Sequence, residues 1–137
     1  MLTARILVVD DEPSVRTINR RILEHARYEV TEAESGKHAV DLLLHGTFDA
    51  VVTDLGMPLG SGASLIQWIF LYRPEMRSRV LVVSGDSKAK ALVGFASRTE
   101  IPIISKPYTG AELLDAVFKL VHPPLRRPST LPTALGA

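Results

Sequence analysis

Val51-Val52-Thr53-Asp54-Leu55-Gly56-Met57-Pro58 is an apolar β-branched run that stops at one carboxylate and then breaks into glycine and proline. The same pattern recurs along the chain. Ile6-Leu7-Val8-Val9 stops at Asp10-Asp11, Val80-Leu81-Val82-Val83 at Ser84-Gly85, and Ile101-Pro102-Ile103-Ile104 at Ser105-Lys106-Pro107. Continuous apolar runs of this length suit strands buried on both faces, as in a parallel sheet. Four of them ending in acids, a hydroxyl and a lysine point to one polar site on one sheet edge. In open α/β sheets ligands bind outside the carboxyl ends of the strands.

Between the runs lie amphipathic stretches, so the chain reads as βα units around a parallel sheet. After Asp10-Asp11, Glu12-Pro13-Ser14 suits a helix's first turn, and Val15, Ile18, Ile22 and Leu23 recur at helical spacing. A second strand is predicted over 28–33, with Val30 and Tyr28 facing inward. Ser35 is a predicted N-cap for a helix carrying Ala39, Val40, Leu43 and Leu44, which His45-Gly46 stops. Strands follow at 50–53, 80–84 and 102–105. Leu65, Ile66, Ile69 and Phe70 share the face of a helix that ends before Arg73-Pro74. A weaker helix is predicted over 87–97, interrupted by Gly94. The last helix carries Leu113, Leu114, Val117, Phe118, Leu120 and Val121.

At 137 residues the sequence predicts one domain with a single core. Residues 4–121 form the predicted domain, and the Pro-rich residues 122–137 a tail or linker stub. A net charge of +1 favours neither nucleic acid nor an acidic membrane surface, and Arg126-Arg127 is too short for a nucleic-acid patch. With no cysteine, disulfides, thiolate catalysis and thiolate metal sites are excluded. No signal-peptide pattern and no membrane-length apolar stretch are seen, so a cytoplasmic protein is expected. His25, His38, His45 and His122 are scattered without ligand spacing, and Trp68 falls at the edge of its helix's apolar stripe.

Three carboxylates at two strand ends repel one another unless a cation neutralises them. A hard divalent ion with oxygen ligands suits that set. Mg2+ takes one or two carboxylates, waters and a phosphate oxygen, and the Gly56 carbonyl is placed by sequence to join them. Ser84 and Lys106 supply a hydroxyl and an ammonium for a dianionic phosphoryl group. Charge neutralised from both sides lets a carboxylate attack phosphorus and form an aspartyl-phosphate. Asp54, standing alone, is the predicted nucleophile, and Asp10 and Asp11 the predicted metal pair.

Asp10-Asp11, Asp54 with Met57-Pro58 and Gly62, Ser84-Gly85 and Lys106-Pro107 together resemble the response-regulator receiver domain of two-component signalling. The resemblance runs from about Arg5 to Val121 and is specific as a set. It implies a flavodoxin-like (βα)5 doubly wound fold: three α/β/α layers and a five-stranded parallel sheet of order 2-1-3-4-5. It implies phosphorylation of Asp54 by a histidine kinase or histidine phosphotransfer protein. Mg2+ would be held directly by Asp11, Asp54 and the Gly56 carbonyl, and by Asp10 through water. Ser84 would move toward the phosphoryl group, Lys106 would pair with it, and the Lys106-Pro107 bond is a candidate for cis. Receivers often carry an aromatic switch residue three positions before the lysine. Ile103 stands there, so the switch set reads Ser84 and Ile103. Gly56 and Asp86 would flank the path of hydrolytic water. Tyr108 is an aromatic on the same edge with no assigned switch role, and Arg16, Arg20 and Arg21 form a basic face on the helix where receivers meet kinases.

The expected function is therefore that of a phosphoacceptor that switches a protein-interaction surface around residues 87–97 and the last strand. The partner is a kinase, the downstream protein is unspecified, and the state is monomer or weak dimer. Three other readings compete. One is a receiver segment of a hybrid histidine kinase. Another is a pseudo-receiver that binds partners without chemistry. The third is an aspartyl-phosphate hydrolase of the haloacid-dehalogenase type, in which Asp10 and Glu12 would serve and Asp54 would have no role.

Overall fold

A computed structural model describes residues 3–58, 61–85 and 101–123. The predicted helix over 87–97, Asp86, and the tail from residue 124 lie outside the described residues. Strands β1 (Arg5–Val9), β2 (Glu29–Ala33), β3 (Ala50–Asp54), β4 (Val80–Ser84) and β5 (Ile103–Ser105) form one five-stranded sheet in the order β2-β1-β3-β4-β5. All four pairings are parallel. This is the predicted fold class and strand order. β2 and β5 are the edges, and the order reverses at β1 and β3, the pair whose ends carry the acids.

Alternation along the central strands divides the core in two. Leu7, Val9, Val51, Val80 and Val82 face helices α2 (Gly36–His45) and α3 (Ser61–Tyr72), meeting Ala39, Leu43, Leu65, Ile66 and Ile69. Ile6, Val8, Val52, Leu81 and Val83 face α1 (Pro13–His25) and α4 (Gly110–Val121), meeting Leu23, Leu113, Val117 and Leu120. A 3₁₀ turn, Pro74–Arg79, leads into β4. Every residue of β3 and β4 is buried, which is why both read as unbroken apolar runs.

Local chemistry sets the ends of the helices. Pro13 opens α1. The Ser35 hydroxyl accepts from the His38 amide at 3.0 Å, as predicted for the N-cap of α2. Thr109 and Glu112 form a reciprocal capping box on α4. Gly46 ends α2 with an extended backbone, φ −158°, rather than a left-handed one.

Three predicted inner-face residues lie outside. Ile18, Leu44 and Phe118 are 57%, 56% and 54% exposed. On α1 the buried stripe passes through Asn19 and Leu23, with Val15 and Ile22 half-buried, so Ile18 falls about 100° off it. Asn19 holds the inner position because a hydroxyl meets it there, as described below. β5 begins at Ile103 rather than Pro102, whose carbonyl accepts from the Val82 amide. Trp68 is half-buried, as predicted, and stacks at a tilt on Tyr72, 5.5 Å between ring centres.

Candidate functional site

The carboxyl ends of β1, β3, β4 and β5 bring the predicted site residues to one edge. Asp10 follows β1 directly and its amide donates to the Ala33 carbonyl of β2 at 3.1 Å, extending the strand pairing by one residue. Asp54 is the last residue of β3. The next amide, Leu55, donates to the Val83 carbonyl at 3.0 Å. The Lys106 amide donates to the Ser84 carbonyl at 2.6 Å, holding the lysine beside β4. The Lys106-Pro107 bond is cis.

One carboxylate oxygen from each of Asp10, Asp11 and Asp54 lies within 4.8 Å of the others. Asp10 and Asp54 are buried and Asp11 is exposed. The Asp10 Oδ1 accepts from the Glu12 amide at 2.9 Å. Burial holds the Asp10 carboxyl above its ordinary range, and the charges of Asp54 and Asp11 push the same way, against the Glu12 hydrogen bond and Lys106. Excess negative charge in a partly buried oxygen cluster fits a hard divalent cation. The shell would use oxygens already converging.

Asp54 is held at both oxygens. Its Oδ1 accepts from the Gly56 amide at 2.8 Å, and its Oδ2 from the Lys106 ammonium at 2.9 Å. Each oxygen keeps a further lone pair, so these bonds orient the carboxylate without blocking attack. Burial works against the lysine's charge, but the hydrogen bond and charge of Asp54, with the charge of Asp10, outweigh it. The ammonium is held above its ordinary value. A cation therefore already stands at the carboxylate where a phosphoryl group would need one.

Ser84 is buried beside this pair, and its hydroxyl donates to the Gly85 carbonyl at 3.0 Å rather than to Asp54. Gly56 contributes its amide to Asp54 in the structure. Ile103 is half-buried against the α2/α3 side of the core.

Several supporting residues were not legible as such. Gly62 was legible only as part of a motif; a Cβ on it would lie 2.5 Å from the Asp54 carbonyl oxygen, so α3 approaches β3 backbone to backbone. Gly36, at the start of α2, likewise sits against Ser61, whose hydroxyl accepts from its amide at 2.8 Å. Arg16 is no free member of a basic face. It donates to the Asp10 carbonyl at 2.7 Å and to Glu32 at 3.0 Å, bracing the acidic loop. Arg20 pairs with Glu32 and Glu24. Tyr108 turns inward, and its hydroxyl donates to Asn19 Oδ1 at 2.9 Å. Hydrophobic periodicity marks none of these, because each is set by a polar contact or a close backbone approach and not by an apolar face.

Comparison with known proteins agrees with this geometry. Residues 6–118 match the family model described as the response regulator receiver domain. The chain is 33% identical over 119 residues to the chemotaxis protein CheY-3 of Vibrio cholerae, covering 84% of this chain and 92% of that one. It is 30% identical over 131 residues to the DNA-binding transcriptional regulator NtrC of Rhizobium meliloti, covering 96% of this chain but 27% of NtrC. Among solved structures, the response regulator TrrA of Thermotoga maritima, in complex with Mg2+-BeF, superposes with a TM-score of 0.75 at 28% identity. That match covers 86% of this chain and 99% of TrrA.

Proposed function

Because this chain belongs to the response regulator receiver domain family of two-component systems, we propose that Asp54 is its phosphoacceptor and that the cluster around it performs the transfer. The observation that carries this reading is the Asp54 carboxylate itself. It is buried, oriented by the Gly56 amide, paired with Lys106, and within 4.8 Å of two further carboxylates. A structural ion pair alone needs only one acid.

In the transfer, an Asp54 oxygen attacks the phosphorus of a kinase phosphohistidine as the P–N bond breaks, and the imidazole leaves with its bonding pair and takes a proton. Lys106 follows the charge from the carboxylate to the phosphoryl oxygens. Ser84 turns its hydroxyl from the Gly85 carbonyl to the phosphoryl group. Asp11, Asp54 and the Gly56 carbonyl would hold Mg2+, with Asp10 through water; the ion supplies charge neutralisation. The phosphorylated Asp54 carries more charge and more acceptor oxygens, and these bias the surface that Ser84 and Ile103 support.

The donor is a histidine kinase or histidine phosphotransfer protein. Exposed Ile18 on α1 and Phe118 on the neighbouring α4 offer it an apolar contact. Residues 4–121 act as the receiver and 122–137 as a connecting tail, in a cytoplasmic setting. The short coverage of NtrC supports a second reading, a receiver within a longer regulator or hybrid kinase.

A small phosphodonor such as acetyl phosphate, with Mg2+, should label wild type and leave Asp54→Asn unlabelled. Equal label on both would overturn the assignment. Mg2+-dependent beryllofluoride binding separates it from a pseudo-receiver. Phosphomonoester turnover that survives Asp54→Asn would instead support the hydrolase.

A further inference from the structure

Five polar side chains are buried among the described residues: Asp10, Asn19, Thr53, Asp54 and Ser84. Asp10, Asp54 and Ser84 serve the phosphoryl site, and Thr53 adjoins Asp54 on β3. Asn19 is the one within a helix, 3% exposed on the inner face of α1. An amide at such a position carries a desolvation penalty unless it is hydrogen-bonded. Its Oδ1 accepts from the Tyr108 hydroxyl at 2.9 Å, closing 89 residues of chain.

The two ends of that bond belong to the two halves of the site. Tyr108 lies two residues beyond Lys106, whose ammonium is 2.9 Å from Asp54. Asn19 lies on the helix that starts immediately after Asp10, Asp11 and Glu12. The lysine loop, residues 106–109, is short. At its start the Lys106 amide is held by the Ser84 carbonyl, and at its end Thr109 caps α4. Between those points, among the described residues, Tyr108 makes the side-chain hydrogen bond that crosses to the acid-bearing side. The Tyr108 ring packs against the core cluster on the α1/α4 side of the sheet.

Lysine delivers its charge on a flexible four-carbon stem, so the backbone position of the loop decides where the ammonium stands. We propose that Asn19 and Tyr108 are positioning residues for Lys106: their hydrogen bond locks the 106–109 loop to α1 and sets the ammonium at the place the phosphoryl group occupies. This rests on the reading of Asp54 as phosphoacceptor. The metal side of the site does not depend on the bond, because Asp10 is held by Glu12, Arg16 and the β2 edge. The two functions should therefore separate on mutation.

Tyr108→Phe keeps the ring and removes the hydroxyl. In the full chain, isothermal calorimetry should show beryllofluoride affinity at saturating Mg2+ falling by about tenfold, since small misplacements of a charged group are costly. Mg2+ affinity alone should stay within about twofold. The double variant Asn19→Leu/Tyr108→Phe removes both polar groups, so its urea midpoint should return toward wild type. Its beryllofluoride affinity should stay low. Unchanged affinity in Tyr108→Phe, parallel loss of Mg2+ affinity, or recovery of beryllofluoride affinity along with stability in the double variant would each overturn the positioning role. Wild type that binds Mg2+ but no beryllofluoride would overturn the phosphoacceptor reading itself, an outcome distinct from these.

Discussion

Gly62→Ala tests how tightly α3 is set against the phosphoacceptor strand. The new Cβ would lie 2.5 Å from the Asp54 carbonyl oxygen and 2.9 Å from Leu55 Cα, where ordinary contact starts at 3.4 Å. The backbones must therefore part by about 0.9 Å. Both nearest atoms are main chain, so no side chain can rotate aside. Leu65, Ile66 and Ile69 are buried on the same helix and must shift with it. Overpacking of this kind costs about 1–3 kcal/mol. Replacing a helical glycine by alanine returns at most about 1 kcal/mol, and less in a first turn. The net expectation is a loss of about 1–2 kcal/mol, or a urea midpoint lowered by about 1 M at an m-value of about 1.5 kcal/mol/M. Gly110→Ala is the control. The three atoms nearest its Cβ would be Ile22 side-chain carbons at 3.5–3.6 Å, an ordinary contact, so its midpoint should hold or rise. A Gly62→Ala midpoint at or above wild type, or an equal fall in both variants, would refute the close-approach argument.

Other expectations follow from single contacts. Burial first, then the charges of Asp54 and Asp11, raise the Asp10 carboxyl, so the folded metal-free protein binds that proton more tightly than the unfolded chain does. Its contribution to stability is therefore present in acid and is lost as pH rises through the carboxyl range. Asp10→Asn should remove that slope and raise the metal-free midpoint at neutral pH; a lower midpoint in a thermal scan would contradict it. Thr109→Ala breaks the capping box of α4 and should cost about 1 kcal/mol in urea unfolding, while a loss near zero would mean the cap is idle. Ile18→Asp should leave stability within about 0.5 kcal/mol, because the side chain is exposed. It should slow phosphotransfer from the cognate kinase by about tenfold, the effect of one anchor residue, and leave acetyl phosphate labelling unchanged. Equal slowing from both donors would place the fault in the chemistry instead of the docking face.

The strands and the chemistry were legible for one reason. A parallel strand buried on both faces is apolar through most of its length, so its end is marked where polar residues set in, and those residues lie at the ligand-binding edge. Asp10, Asp54, Ser84 and Lys106 were readable in this way, and the structure brings their strand ends together. The helices were less readable. Ile18 looked like a core residue but is exposed, while Asn19, which the apolar spacing does not mark, is buried. An apolar residue one position off the stripe cannot be told from one on it until the helix has a neighbour. The amide is tolerated inside only because Tyr108 arrives from 89 residues away.

The order of apolar runs and the polar residues that end them determined the parallel sheet, its βα alternation and the set of groups able to handle a phosphoryl anion. Hydrophobic burial and period impose those features locally, whatever else the chain does. Tertiary structure alone decided how the groups are held. It set Asp54 between the Gly56 amide and Lys106, turned Arg16 onto the Asp10 carbonyl, required Gly62 where α3 touches β3, and joined Tyr108 to Asn19. The Lys106 and Tyr108 bonds join segments 52 and 89 residues apart, and the shorter-range contacts depend on how the strand-end loops and α3 settle on the sheet. Their geometry comes into being only when the sheet has formed, because no local pattern encodes the position of a partner.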